Sequence, residues 1–220
     1  MKTTSQSSPS PPNVANRSRA VFLHYLPWFT IQPTAEAPEH HRRGWCGVDQ
    51  DSSNCHDSTK KQYVGDGPFI GEYDQRNVNV LEHHLLLAQL AGVDVLVINC
   101  NPIDHLQVEI TTLMFTVAST MRKKYGETIF CLQLAISYDN DQAITREQVV
   151  KDFTILAEIY ATGNGTISFT DINGGPVLLL WSENVPEITY NVAKSLLSSA
   201  TTVVVRNPRA YAFSDGNFAW

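Results

Sequence analysis

Short, nearly unbroken apolar runs alternate with longer amphipathic segments along the chain, and few folds accommodate such a rhythm. The runs are Ala20–Leu26, closed by Pro27, then Val93–Asn99, Thr128–Ile136, Pro176–Trp181, Thr202–Arg206 and Gly216–Trp220. Each is rich in β-branched or aromatic residues and of strand length. Between them, Asn77–Ala91, His105–Lys124, Thr145–Tyr160 and Val185–Ser199 repeat apolar residues near a 3.6-residue period. Local signals agree: Gly92 stands where a C-cap glycine belongs, Thr145 with Gln148 reads as a capping box, and Pro186 sits near a helix start. Strands alternating with helices imply βαβ crossovers and a parallel sheet, and unbroken apolar runs imply strands covered on both faces.

Two architectures fit, an open doubly wound sheet or a barrel. No G-x-G-x-x-G or G-x-x-x-x-G-K-[ST] motif follows the first strand, which removes the main support for a nucleotide-binding sheet. Polar and aromatic residues gathered at strand ends suit a (β/α)8 barrel, here with about six βα units and a long loop after strand one. With 220 residues, 43% hydrophobic and 17% charged, the chain can bury a full core. Residues 1–18, rich in Ser, Pro, Thr and Asn, read as a flexible leader, and 19–220 as one incomplete barrel domain. No apolar run approaches the roughly 20 residues that span a bilayer, and no signal peptide is legible, so neither a membrane nor a compartment is indicated. A formal net charge of -6 with scattered Lys and Arg argues against nucleic acid. No obligate protein partner is indicated.

Chemistry in parallel α/β folds sits beyond the C-terminal ends of the strands. That rule selects His24, Tyr25 and Trp28 after strand one, Asn99 and Asn101 after strand two, Tyr138 and Asp139 after strand three, and Trp181 and Glu183 after strand four. Aromatic rings stack on the apolar faces of pyranoses, and amides and carboxylates bind their hydroxyls, so the mixture suits a carbohydrate. Glycoside hydrolysis needs two carboxylates, and Asp139 with Glu183, on adjacent strands, form the best pair. The competing reading of any one such residue is a turn former or helix cap. The loop over residues 30–66 carries His40, His41, Cys46, Cys55 and His56 at no standard zinc spacing, so neither metal nor cofactor is expected, although Cys46 and Cys55 could pair. Asp94 and Asp215, at the N-terminal ends of strands, read as structural, and His84 as packed or exposed on its helix.

The stretches Val21–Phe29, Pro68–Arg76 and Val80–Asp94, with Gly44-Trp45 and Leu134–Asp139, resemble segments of glycoside hydrolase families 71 and 99, the latter containing endo-mannosidases. Val21-Phe-Leu-His-Tyr-Leu-Pro-Trp-Phe29 resembles their opening strand. Pro68-Phe-Ile-Gly-Glu-Tyr-Asp-Gln-Arg76 is similar to the segment P-x-I-G-x-Y-D-S-x-D that leads into the first helix, and Val80–Asp94 to V-x-x-x-H-L-x-x-x-K-x-A-G-I-D. Gly44-Trp45 and Leu134-Ala-Ile-Ser-Tyr-Asp139 resemble G-W-H-W and F-A-I-C-Y-E-D. The resemblance implies a (β/α)8 barrel with a sugar-binding face, and adds Tyr73 and Asp74 to the substrate-binding candidates. It also implies retaining endo-α-mannosidase chemistry for the full family pattern. The family's late E-W-H-E segment has no counterpart here, and Ser137 or Asp139 falls nearest the glutamate of its third-strand H-I-E-P-Y. The expectation is therefore a glycoside hydrolase-like protein, representing the N-terminal three quarters of such a barrel, that acts on or binds an oligosaccharide or polysaccharide. The alternatives are a non-catalytic carbohydrate-binding relic, or an unrelated α/β protein with an open parallel sheet.

Overall fold

A computed structural model describes residues 20–30, 73–139, 145–163, 167–170, 175–181, 187–197, 201–206 and 216–218. Strands β1 (Phe22–Tyr25), β2 (Val95–Cys100), β3 (Gln133–Tyr138), β4 (Val177–Leu180), β5 (Thr202–Arg206) and β6 (Gly216–Phe218) form one sheet. Helices α1 (Val78–Leu90), α2 (His105–Tyr125), α3 (Arg146–Thr162) and α4 (Glu187–Leu196) follow β1 to β4 in turn. Every neighbouring pair of strands is parallel, and the spatial order is the chain order. A doubly wound sheet reverses direction at a switch point, so this order excludes that alternative. The third predicted run starts too early: Thr128 and Ile129 lie in a turn after α2, and β3 begins at Gln133.

The helix ends follow local chemistry. Asn77, Asp104 and Thr145 are the N-caps of α1, α2 and α3, each accepting a first-turn backbone N–H. The Thr145 box is half-made, because the Gln148 amide turns away and donates to Asp152 at 2.7 Å. Gly92 and Gly126, just past α1 and α2, hold φ of 80° and 81°, a conformation that favours glycine. Four threonines of α2 (Thr111, Thr112, Thr116, Thr120) return their hydroxyl protons to the carbonyl four residues back, which accommodates them inside a helix.

Right-handed crossovers between strands in chain order place all the helices on one face of the sheet. There α1 packs on α2, α2 on α3 and α3 on α4. Leu96, Ile98, Cys100, Leu134, Ile136, Tyr138, Leu178, Leu180 and Val203 face this layer and meet Leu81, Leu85, Ile110, Met114, Phe115, Phe153 and Leu156. Alternate residues form a second cluster on the other face: Val95, Val97, Ala135, Val177 and Leu179, with Phe169 and Val204 against them. The sheet is strongly curved about this inner cluster. His24 on β1 and the residue after β4, Trp181, stack with ring centroids 5.0 Å apart. On a flat sheet those strands lie three spacings, about 14 Å, from each other. At the opposite end Phe169 meets Phe22 edge-on at 5.3 Å and packs against the inner cluster.

The leucine-rich run of α1 is not all core: Leu87 and Leu90 are 50% and 82% exposed, because among the described helices α1 has a neighbour, α2, on one flank. Cys131 precedes β3 and is exposed, whereas Cys100 is buried and its thiol is pushed up to about 12 by burial. Asp94 is structural in effect: its carboxylate accepts the Val21 amide at 2.9 Å and fixes the start of β1 against β2.

Gly163, closing α3, has a helical φ of -73°, so its value is spatial. A Cβ there would stand 2.5 Å from Ile167 Cγ2 and 3.0 Å from Phe115 Cδ1. Gly163→Ala should therefore destabilise the protein by about 1–3 kcal/mol, despite alanine's better helix propensity. Chemical denaturation checks this, and an unchanged or raised midpoint would contradict the packing described.

Candidate functional site

The C-terminal end of the inner face is polar where its lower half is apolar. On β2 the sequence passes from Val95 and Val97 to Asn99, and on β3 from Ala135 to Ser137 and, beyond the strand, Asp139. The register places Asn99 beside Ser137, and His24 beside Val97, one step lower on β1. Asn99 donates its amide to Asp139 Oδ2 at 3.0 Å. His24 stacks on Trp181 at an interplanar angle of 19°. Burial pushes the His24 pKa below its ordinary value, while the Asn99 amide and the Asp139 carboxylate draw it partly back. The imidazole is therefore mostly neutral at neutral pH, a hydrogen-bonding group rather than a cation. Ser137 Oγ is buried and has no hydrogen-bond partner among the described residues. Buried polar groups of this kind sit where a ligand or water completes them.

His24, Asn99, Asp139 and Trp181 are thus brought together, from four strands. Trp28 follows β1 beyond Pro27, half-buried, with its indole Nε1 enclosed and without a partner among the described residues. Asn101 stands apart, in the turn before α2, where its side chain accepts the Ile103 amide at 3.2 Å. Glu183 lies outside the described residues, as do Asp215, Cys46 and Cys55. Ser137 was not among the strand-end candidates and entered the sequence reading only through the family's third-strand segment, although its place two residues before Asp139 puts both on one strand face.

Tyr25 and Tyr138 stand one residue from inner positions and so look outward, into the helix layer. Tyr138 is 2% exposed and donates its hydroxyl to Asp152 of α3 at 2.8 Å. Tyr25 meets α1 through a chain of hydrogen bonds. Gln75 Oε1 accepts the Phe29 amide at 2.7 Å, so Gln75 Nε2 is the donor to the Tyr25 hydroxyl at 2.7 Å. That hydroxyl is also hydrogen-bonded to His84 Nδ1 at 2.8 Å. Tyr73 packs edge-on against His84 at 4.8 Å. Asp74 accepts a two-pronged bond from Arg76 at 3.0 and 2.6 Å and another from Thr30 Oγ1 at 2.7 Å. Burial raises the Asp74 pKa, but Arg76 and Thr30 outweigh it and hold the carboxyl below its ordinary value. Together with the Gln75–Phe29 backbone bond at 2.9 Å, these contacts tie Thr30 to Tyr73–Arg76 and close the neck of the long segment after β1. Tyr73 and Asp74 therefore belong to that neck, next to the β1 end of the site.

Among the described residues no group of three or more His, Cys, Asp or Glu could hold a metal ion, and no helix is long and apolar enough to cross a membrane. The inner group offers hydrogen-bond donors and acceptors, one carboxylate among the described residues, and a stacked aromatic wall.

The fold is a parallel α/β arrangement, a curved sheet with its helices on one face. Two solved structures of the family 99 endo-α-mannosidase from Bacteroides thetaiotaomicron share it. The one in complex with BIS-TRIS propane superposes at a TM-score of 0.59 with 10% identity, over 91% of this chain and 58% of that one. The other gives 0.52 with 13% identity, over 85% and 55%. This chain thus spans little more than half the length of those neighbours, and the likeness is one of fold. The sequence matches no family model and no curated protein.

The neck makes stability pH-dependent. Burial, with a smaller contribution from His83, lowers the His84 pKa to about 4, against 6.5 for the ordinary side chain. The unfolded chain therefore takes up the proton first, so stability is full above 6.5 and declines as the pH falls towards 4. Denaturation midpoints measured at intervals from pH 7.5 to 4 should show this decline, and His84→Gln should flatten it. An equal slope in the variant would remove His84 as its source.

Proposed function

We propose that this chain supplies the sugar-binding face of a (β/α)8 barrel of the family 71/99 type, and that it takes an oligosaccharide or polysaccharide at the C-terminal end of the sheet. The supporting observation is the inner group itself. A His24–Trp181 aromatic stack stands beside the Asn99–Asp139 pair on a curved, singly wound sheet. Trp181 and Trp28 offer rings to sugar C–H faces, and Asp139 and His24 offer polar atoms to the hydroxyls. In this reading Asp139 meets the substrate and Glu183, two residues beyond Trp181, is its partner for glycosidic cleavage. The α-mannosidase named for the structural neighbours makes α-linked manno-oligosaccharides the first ligands to try.

A second reading is binding without turnover, because the aromatic stack and the hydrogen-bonding side chains of the inner group suit a sugar whether or not a glycosidic bond is cleaved. Titration calorimetry with α-linked manno-oligosaccharides, beside a reducing-end assay on the same samples, separates the readings. Saturable binding is expected, weakened at least about threefold by Trp181→Ala through loss of stacking. Release of reducing ends, abolished by Asp139→Asn and by Glu183→Gln, supports the hydrolase, and binding without release supports the binding protein. Absence of binding to these and to other neutral oligosaccharides would overturn both.

A further inference from the structure

Within the inner group Asn99, like its neighbour Ser137, is deeply buried. It is 2% exposed, whereas His24, Asp139 and Trp181 are only partly buried. The two preceding inner positions of its strand, Val95 and Val97, are apolar and packed. A buried amide among valines is a costly choice for a core unless its hydrogen bonds are used. Its amide nitrogen is used, donating to Asp139 Oδ2 at 3.0 Å. The backbone of Asn99 is paired with Ser137 of β3, which holds the amide in place.

We propose that Asn99 is a positioning residue: buried and out of contact with ligand, it holds the Asp139 carboxylate in a fixed orientation beside His24, so that two side chains from separate strands meet a ligand as one preset pair. A charge-assisted bond from a rigid donor restricts a strand-end aspartate that otherwise samples several rotamers, and preset groups bind with less ordering cost. The ligand in question rests on the carbohydrate reading above, but the positioning itself does not. Asn99 on β2, Asp139 after β3 and Trp181 after β4 face His24, and of these three Asp139 is titratable.

The test uses the full chain with 15N-labelled histidine and follows the His24 ring nitrogens through a pH titration without ligand. Asn99→Leu keeps the volume and removes the amide, and Asp139→Asn keeps the shape and removes the charge. Both should move the His24 midpoint to lower pH while the backbone spectrum stays folded, because each removes an interaction that favours the imidazolium. Asn99→Leu should also weaken α-mannotetraose binding by about tenfold, although it touches no sugar. An unmoved His24 midpoint in a folded Asn99→Leu protein overturns the proposal, since a merely structural asparagine would change stability alone. Should that variant fail to fold, an unmoved midpoint in Asp139→Asn overturns it equally. If the unmodified protein binds no α-mannotetraose, the carbohydrate reading fails for that ligand while the His24 titration still decides the positioning.

Discussion

Pairing the strands in chain order, all parallel, has a consequence on which the rest of the structure depends. Each crossover turns the same way, so the helices cover one face and leave the other to cover itself. The inner residues answer that demand. Val95, Val97, Ala135, Val177 and Leu179 form a compact second core only because the sheet bends until strands that are not neighbours face one another. The stack of His24 on Trp181 and the contact of Phe22 with Phe169 mark the two ends of that enclosed space. Without the bend, the inner valines would lie open to water and the polar residues above them would be a scattered row.

The curvature also accounts for the change in chemistry along the inner face. Low in the sheet it is filled with aliphatic side chains, with Phe169 packed against them; high in the sheet the same faces carry His24, Asn99, Ser137 and Asp139. Strand ends are where the packing demand relaxes and polar groups can be buried with partners or ligands. The outer face shows the opposite economy. Its polar atoms, the hydroxyls of Tyr25, Tyr138 and Tyr160, are each used to tie strand to helix or strand to strand. Two tyrosines that adjoin site residues in sequence are therefore part of the framework that holds the site in place.

The neck formed by Thr30, Tyr73, Asp74, Gln75 and Arg76 has a comparable supporting place. It brings together residues some 40 positions apart, and its hydrogen bonds converge on Phe29 and Tyr25, at the end of the strand that carries His24. The part of the sequence with the most specific family resemblance, around Tyr73 and Asp74, is thus the part that closes this neck. Its resemblance is as readily explained by that joint as by contact with a sugar.

The kinds of element, their order and most of their limits were legible in the sequence, because periodicity, caps and glycines act locally: α1 was delimited by Asn77 and Gly92, and α3 by Thr145. The concentration of polar and aromatic residues at strand ends was legible for the same reason. Which way each residue looks was not. In a parallel sheet covered on both sides both faces are apolar, so hydrophobicity does not distinguish inner from outer positions. His24 and Tyr25, or Tyr138 and Asp139, are therefore equivalent to a reader of the sequence and opposite in the fold. Tertiary structure alone decided that His24, Asn99, Asp139 and Trp181 share one space, since only curvature and register join strands separated by tens of residues.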